Sequence, residues 1–403
     1  MTDSEHDSAY SWLRLAISLA LAVVGNIGMW AVIVVLPDMQ AEFGIARADA
    51  SLPYAAAMIG FAAGNLTLGP AVDRWGITPV LAFAAILQAL GFLLASMAGS
   101  IAVVIVVHLL LGLGASAAFA PLISDVSQWF MRRRGIAVAI AASGNYLSGT
   151  LWPPIIVWVM ADGGWRWAYV MLAVAILVVV LPGSLLLRRR VGDAATLVAT
   201  QAAATRAAAT GLSPRTLQIM LMIAGVGCCV AMSMPQVHIV ALCIDRGFGA
   251  VAGAEMLSLM LAGGVVSRLT FGALADRMGG LKTLLLGASL QMVALCLFLI
   301  DGGLTSLYIV SLVFGLSQGG IVPSYAIIVR EYMAPREAGR RVGLVMAATI
   351  IGMALGGWLS GWMYDISGSY ALAVWNGIGW NVITIAIAMA ILLRIGTPRP
   401  ALA

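Results

Sequence analysis

Charge is what this 403-residue chain has least of. Asp, Glu, Lys and Arg together make up 10%, and the single lysine is Lys282. A soluble domain carries roughly 25% charged residues to solvate its surface, so an aqueous exterior is excluded. With hydrophobic residues at 62%, bilayer is the solvent the composition fits. Cysteine is scarce as well. Cys228, Cys229, Cys243 and Cys296 stand in apolar runs, at neither disulfide nor metal-ligand spacing, and read as small hydrophobes. There is no phosphate loop, no metal-spaced set of His, Cys and Glu, and no Ser-His-Asp arrangement outside the apolar runs. We therefore expect no enzyme, no metal and no cofactor, and any energy must come from an ion or solute gradient. The opening "MTDSEHDSAYSW" is acidic and polar, unlike a cleaved secretory signal, so the first apolar run is expected to be retained. The net charge of +5 does not point to nucleic acid, because the arginines are scattered through short segments between apolar runs.

Runs long enough to cross the hydrocarbon, about 20 residues each, begin near Leu13, Ser51, Ile77, Ile101, Gly135, Trp165, Thr216, Ala250, Leu281, Thr305, Val342 and Tyr370. That is an all-α membrane protein of twelve transmembrane helices, six on either side of an Ala/Thr-rich, arginine-bearing segment. The expected division is an N-terminal bundle over 1–187, a linker over 188–214 and a C-terminal bundle over 215–403. Ser213 and Pro214 suit the cap and first turn of span seven. Orientation follows from the cations. With both termini in the cytoplasm, all of the 22 Lys and Arg except Arg47, Arg166, Arg246 and the intramembrane Arg268 lie on the cytoplasmic side. The expected location is the inner (plasma) membrane, crossed many times.

"GPAVDRWG" at 69–76 and "GALADRMG" at 272–279 are near copies about half the chain apart, after the second span of each half. "GLGASAAFAP", ending at Pro121, and "GLSQGGIVP", ending at Pro323, recur at almost the same offset. Two duplicated, pseudo-symmetric six-helix bundles are the simplest account.

The G-x-x-x-D-R-x-G loops and "HLLLGLG" in span four resemble the major facilitator superfamily over the whole chain, although His108 stands where that family usually has arginine. "WFMRRRGIAVAIAASG", "MPQVHIVALCIDRG" and "SRLTFGALADR" further resemble the monocarboxylate transporters and the bacterial oxalate:formate antiporters. The resemblance implies alternating access between two bundles and an arginine in span eight that pairs with substrate carboxylate, matched here by Arg268. Those transporters often keep an aspartate one turn earlier and a lysine in span one. Here the first position is Gly264 and span one has no lysine, so an Asp–Arg proton switch does not carry over.

Arg268 is costly within a span, and its fork suits either a substrate carboxylate or backbone carbonyls. His238 follows Pro235, whose ring breaks a helical hydrogen bond. It is a candidate proton carrier, or a neutral imidazole bonded to a freed carbonyl. Pro121 and Pro323 interrupt matching helices, and the polar residues near that level are Asn145, Tyr146, Gln318 and Tyr325, with Asn26 and Trp30 sharing a face of span one. Each is a candidate substrate contact or a bridge between helices. Asp73, Arg74, Asp276 and Arg277 are expected to gate rather than to bind.

A lone arginine neutralises one carboxylate. The expectation is a proton-coupled symporter of a small monocarboxylate such as lactate or pyruvate, its partners being that anion, protons and the lipid bilayer. An oxalate:formate type of anion antiporter is the alternative, followed by a drug-efflux facilitator and a non-transporting membrane sensor.

Overall fold

The computed structural model describes residues 7–130, 134–189, 212–300, 302–333 and 335–396, without certain side chains in those stretches, Asp73 and Asp276 among them. Most of the expected linker lies outside the described residues. Every regular element among the described residues is a helix. They are α1 (Ala9–Gly25), α2 (Ile27–Phe43), α3 (Arg47–Trp75), α4 (Ile77–Ser96), α5 (Ile101–Ser116), α6 (Ala120–Gln128) and α7 (Arg134–Ser184), with a 3₁₀ turn at Leu185–Leu187. The second half supplies α8 (Pro214–Asp245), α9 (Gly249–Met278), α10 (Gly280–Leu297), α11 (Gly303–Gln318), α12 (Ile321–Tyr332), α13 (Pro335–Ser367) and α14 (Ala371–Gly396). Ser213 does cap α8, its hydroxyl accepting the Thr216 N–H at 3.0 Å.

Ten segments among the described residues are long and apolar enough to cross a membrane. The difference from twelve has two sources. Residues 136–187 run as one helical stretch that breaks at Gly164, where φ is +69° and ψ −176°. Only glycine takes that conformation without strain. The other is α3, whose sequence carries Arg47, Asp49, Asn65, Asp73 and Arg74 and is less apolar than its neighbours. Large side chains such as Val106 and Trp158 stand exposed on the outside of the bundle, where lipid is the fitting contact.

Glycine sets how closely the helices cross. A Cβ on Gly112 of α5 would lie 1.8 Å from the Ala57 carbonyl of α3, and one on Gly315 of α11 would lie 2.0 Å from the Met260 carbonyl of α9. The two crossings stand at the same offset as the repeated loops, so the same backbone contact is built twice. The interruptions recur too: α5 gives way to α6 just before Pro121, and α11 to α12 just before Pro323.

At one end of the bundle a charge is buried that reads in the sequence as a topology signal. Arg14 is 1% exposed and forks onto Asp125, Nε to Oδ2 and Nη2 to Oδ1 both at 2.9 Å, with Nη2 also donating to the Leu187 carbonyl. Its guanidinium stacks 4.6 Å from the Trp129 ring. Removing one partner of a buried pair leaves the other unpaired at a cost of about 3–5 kcal/mol. Asp125→Ala is therefore expected to lower the thermal midpoint of the purified protein well below that of Asp125→Asn, which keeps an acceptor for Arg14.

Candidate functional site

α9 carries Arg268 at 7% exposure, one turn after Gly264. Its Nη1 donates to the Ala142 carbonyl of α7 at 2.7 Å, and its Nε to the Gly319 carbonyl at 3.4 Å. Gly319 lies in the break between α11 and α12, where a carbonyl released from the helical ladder needs a donor. The guanidinium also sits 4.0 Å from the centroid of the Tyr146 ring. Unlike Arg14, Arg47 and Arg166, Arg268 makes no ion pair with a described residue. Carbonyls and a π face stabilise a cation without cancelling its charge.

The Gly264 position is not empty. A Cβ there would meet Cδ2 and Cε2 of Tyr146 at 3.0 Å, so the tyrosine ring fills the space beside Arg268 where the resembled transporters often keep an aspartate.

Arg268 faces a cavity of about 310 Å³ lined from both halves of the chain. Trp30, Asn145 and Tyr146 line it too. Trp30 Nε1 donates to the Asn145 backbone carbonyl and to its Oδ1, both at 2.9 Å, so the Asn145 amide is held rather than free. Asn26, Gln318 and Tyr325 are fully buried and are not among the lining residues. Asn26 Nδ2 bridges the Ala22 and Ala118 carbonyls, serving the break between α5 and α6 as Arg268 serves the break between α11 and α12. Gln318 accepts from Gln236 Nε2 at 2.6 Å, and Gln236 is the one of the two that reaches the cavity. Arg74 and Arg277 are exposed, and the side chains of Asp73 and Asp276 lie outside the described ones.

The lining runs along α3 from Tyr54 to Leu66 and along α13 from Met353 back to Val342. The cavity thus extends from the middle of the bundle toward the Arg74 end of α3. Across the other end lies a cluster around Arg47, one of the three arginines that the sequence leaves off the cytoplasmic side. Arg47 is 6% exposed. Its Nη2 donates to Asp245 at 3.1 Å and its Nη1 to the Tyr370 hydroxyl at 2.9 Å, while its guanidinium lies 4.9 Å from the Tyr364 ring. Ala46 offers no side-chain cap to α3, so Asp365 of α13 accepts the Arg47 and Ala48 N–H groups at 2.9 and 2.8 Å instead. His238 is here, buried and outside the cavity lining, with Nε2 2.8 Å from the Gly357 carbonyl and Nδ1 3.2 Å from the Tyr370 hydroxyl. A carbonyl can only accept, so Nε2 carries the proton and Nδ1 of the neutral ring accepts from Tyr370. His108 is held in the same manner, between the Val104 carbonyl and the Tyr169 hydroxyl.

Tyr54, Met58, Phe61 and Asn65 form a lining stripe that the sequence reading missed, as it missed Gln236. Their spacing of four, three and four residues marks one helix face. In an apolar chain that pattern cannot separate a cavity wall from a core.

The family model described as Major Facilitator Superfamily matches residues 18–300 and again 219–403. The chain belongs to that superfamily of multi-pass membrane transporters. Monocarboxylate transporter 13 of Rattus norvegicus is 29% identical over 301 residues, 74% of this chain and 69% of the relative. Monocarboxylate transporter 11 of Homo sapiens is 28% identical over 385 residues, 90% of this chain and 79% of the relative. A solved structure of a bacterial homologue of the human lysosomal transporter Spinster, inward-facing and occupied, superposes with a TM-score of 0.74. It covers 96% of this chain and 97% of that one at 13% identity, a likeness of fold alone.

Proposed function

We propose that the protein is a secondary active transporter of an organic monocarboxylate, coupled to protons and working by alternating access. The observation that carries this reading is Arg268: a nearly buried cation on the wall of a cavity shared by both halves, with no carboxylate partner among the described residues. A substrate carboxylate supplies the missing charge and accepts bidentately from the fork. The relatives named as monocarboxylate transporters support the substrate class. An oxalate-like dianion would need a second cation, and Arg268 is the only charged residue among the described lining.

In this reading the chain crosses an inner (plasma) membrane twelve times, as bundles over 1–187 and 215–403 joined by the linker 188–214, with both termini cytoplasmic. The Arg74 end of α3 is then cytoplasmic, the cavity opens inward, and the Arg47 cluster closes the outer side. The loops bearing Asp73, Arg74, Asp276 and Arg277 latch the inner side in the opposite state. Asp73→Asn is expected to bias alternation while leaving substrate affinity within a few-fold, measured by equilibrium binding beside inward-to-outward exchange rates. The test of the function is uptake into proteoliposomes of a radiolabelled acid panel beginning with lactate and pyruvate, with and without an imposed pH gradient. Accumulation driven by the gradient supports the reading, and an inert panel rejects it.

His238 carries the coupling through the outer cluster rather than through the cavity. Protonating Nδ1 removes the acceptor for the Tyr370 hydroxyl and adds a positive charge near Arg47. Asp245 and Asp365 pull the other way, but both are engaged, the first with Arg47 and the second with the N–H groups that open α3. A protonated His238 therefore loosens the outer closure. His238→Gln is expected to keep exchange of labelled for unlabelled acid and to lose the pH-driven component of uptake. Undiminished pH-driven uptake in this variant would remove the histidine from the mechanism.

A further inference from the structure

The wall of the Arg268 cavity is apolar far beyond what a three-carbon acid needs. Met58, Met232, Met346, Met353, Phe61 and Phe119 line it together with Arg268. The polar groups that share the wall are in good part already satisfied by protein. Asn145 Oδ1 accepts from Trp30, Gln236 Nε2 donates to Gln318, and the Thr349 hydroxyl donates to the Met346 carbonyl at 2.7 Å. A 2-hydroxy or 2-oxo group would gain little from partners so engaged, which leaves the Asn65 amide, whose Oδ1 has no partner among the described residues, as the open polar contact on an otherwise apolar wall. The volume points the same way. About 310 Å³ corresponds to roughly ten waters, and a three-carbon acid displaces about four of them. The rest would stay as water against methionine and phenylalanine, which is unfavourable.

We propose that the transported anion is a monocarboxylate with an extended apolar body, an alkyl chain or an aromatic ring, its carboxylate on Arg268 and its body against the Met and Phe wall. This rests on the carboxylate-carrier reading above and narrows it. Methionine side chains are unbranched and polarisable, so the wall adapts to bodies of different shape. Each methylene moved from water onto such a wall tightens binding about fourfold. Affinity then climbs with chain length until the cavity is full. An aromatic acid such as 3-phenylpropionate fits the same wall and can stack with Phe61 or Phe119.

The test is calorimetric titration of the full-length protein in lipid nanodiscs with propionate, butyrate, hexanoate, octanoate and 3-phenylpropionate. Each acid is paired with its alcohol, and Arg268→Ala serves as the blank for partition into lipid. The expected result is a dissociation constant falling about fourfold per methylene among the acids, tight binding of 3-phenylpropionate, and no saturable binding of the alcohols. Acids that bind with no dependence on chain length would overturn this inference while leaving the carboxylate-carrier reading intact. Acids and alcohols binding equally, or no acid binding at all, would overturn that reading itself. The chain-length series is measured on the parent protein, so a folding defect in the variant cannot mask it.

Discussion

Arg268→Ala is expected to abolish saturable binding of monocarboxylates without lowering the stability of the empty carrier. In the loaded carrier, removing the guanidinium leaves the substrate carboxylate buried and unpaired. That costs about 3–5 kcal/mol, a loss of affinity from roughly a hundredfold to several thousandfold. In the empty carrier the balance is different. Arg268 has two carbonyls and the Tyr146 face but no counter-charge among the described residues, so alanine removes an uncompensated charge together with two hydrogen bonds. Arg14 supplies the contrast, since its charge is matched by Asp125 in the resting protein and its loss is a loss of stability. Arg268→Lys is expected to recover little, because an ammonium cannot reach two carbonyls and two carboxylate oxygens as a planar fork does. Calorimetric titration reads the affinity, and thermal unfolding without substrate reads the stability.

Arg47→Ala is expected to shift the carrier toward the state open at the Arg47 end. This residue joins α3 to α8 through Asp245 and to the start of α14 through Tyr370, so it clasps elements from opposite halves of the sequence. Hydrogen bonds to charged groups contribute about 1.5–3 kcal/mol each, so losing even one of the two moves a two-state equilibrium roughly ten- to hundredfold. Ala50, fully buried one turn along α3, reports the opening. With the native cysteines replaced by alanine, Ala50→Cys should resist an impermeant maleimide in the parent background and react in Arg47→Ala. Equal resistance in both would mean that the close packing of Gly357 and Gly361 against α3 holds this end shut without the arginine.

The fold was legible because its signals are collective. Long apolar runs and repeated loops each use many residues, and no single misreading undoes them. Close helix packing goes with glycine at helical spacing: Gly60 and Gly64 face α5, and Gly352 and Gly356 face α8. The site was legible only in part, since a polar residue in an apolar span has two uses that the sequence does not separate. Asn145, Tyr146 and Trp30 reach the cavity, whereas Asn26 bridges carbonyls at a helix break and Gln318 sits behind Gln236. Arg14 and Arg47 were harder. Both stand where loop or interface cations belong, and their partners, Asp125 and Asp245, are brought to them only by tertiary packing. The apolar wall was invisible for the opposite reason: methionine and phenylalanine among so many hydrophobes carry no signal.

The most direct test of the central claim places the parent and Arg268→Ala side by side in proteoliposomes. Both are supplied with one radiolabelled monocarboxylate that the parent binds, under the same imposed pH gradient. The account predicts that the parent accumulates the acid above equilibrium, that a protonophore collapses the accumulation, and that Arg268→Ala takes up no more than protein-free liposomes. Accumulation by Arg268→Ala at the parent's rate would contradict it.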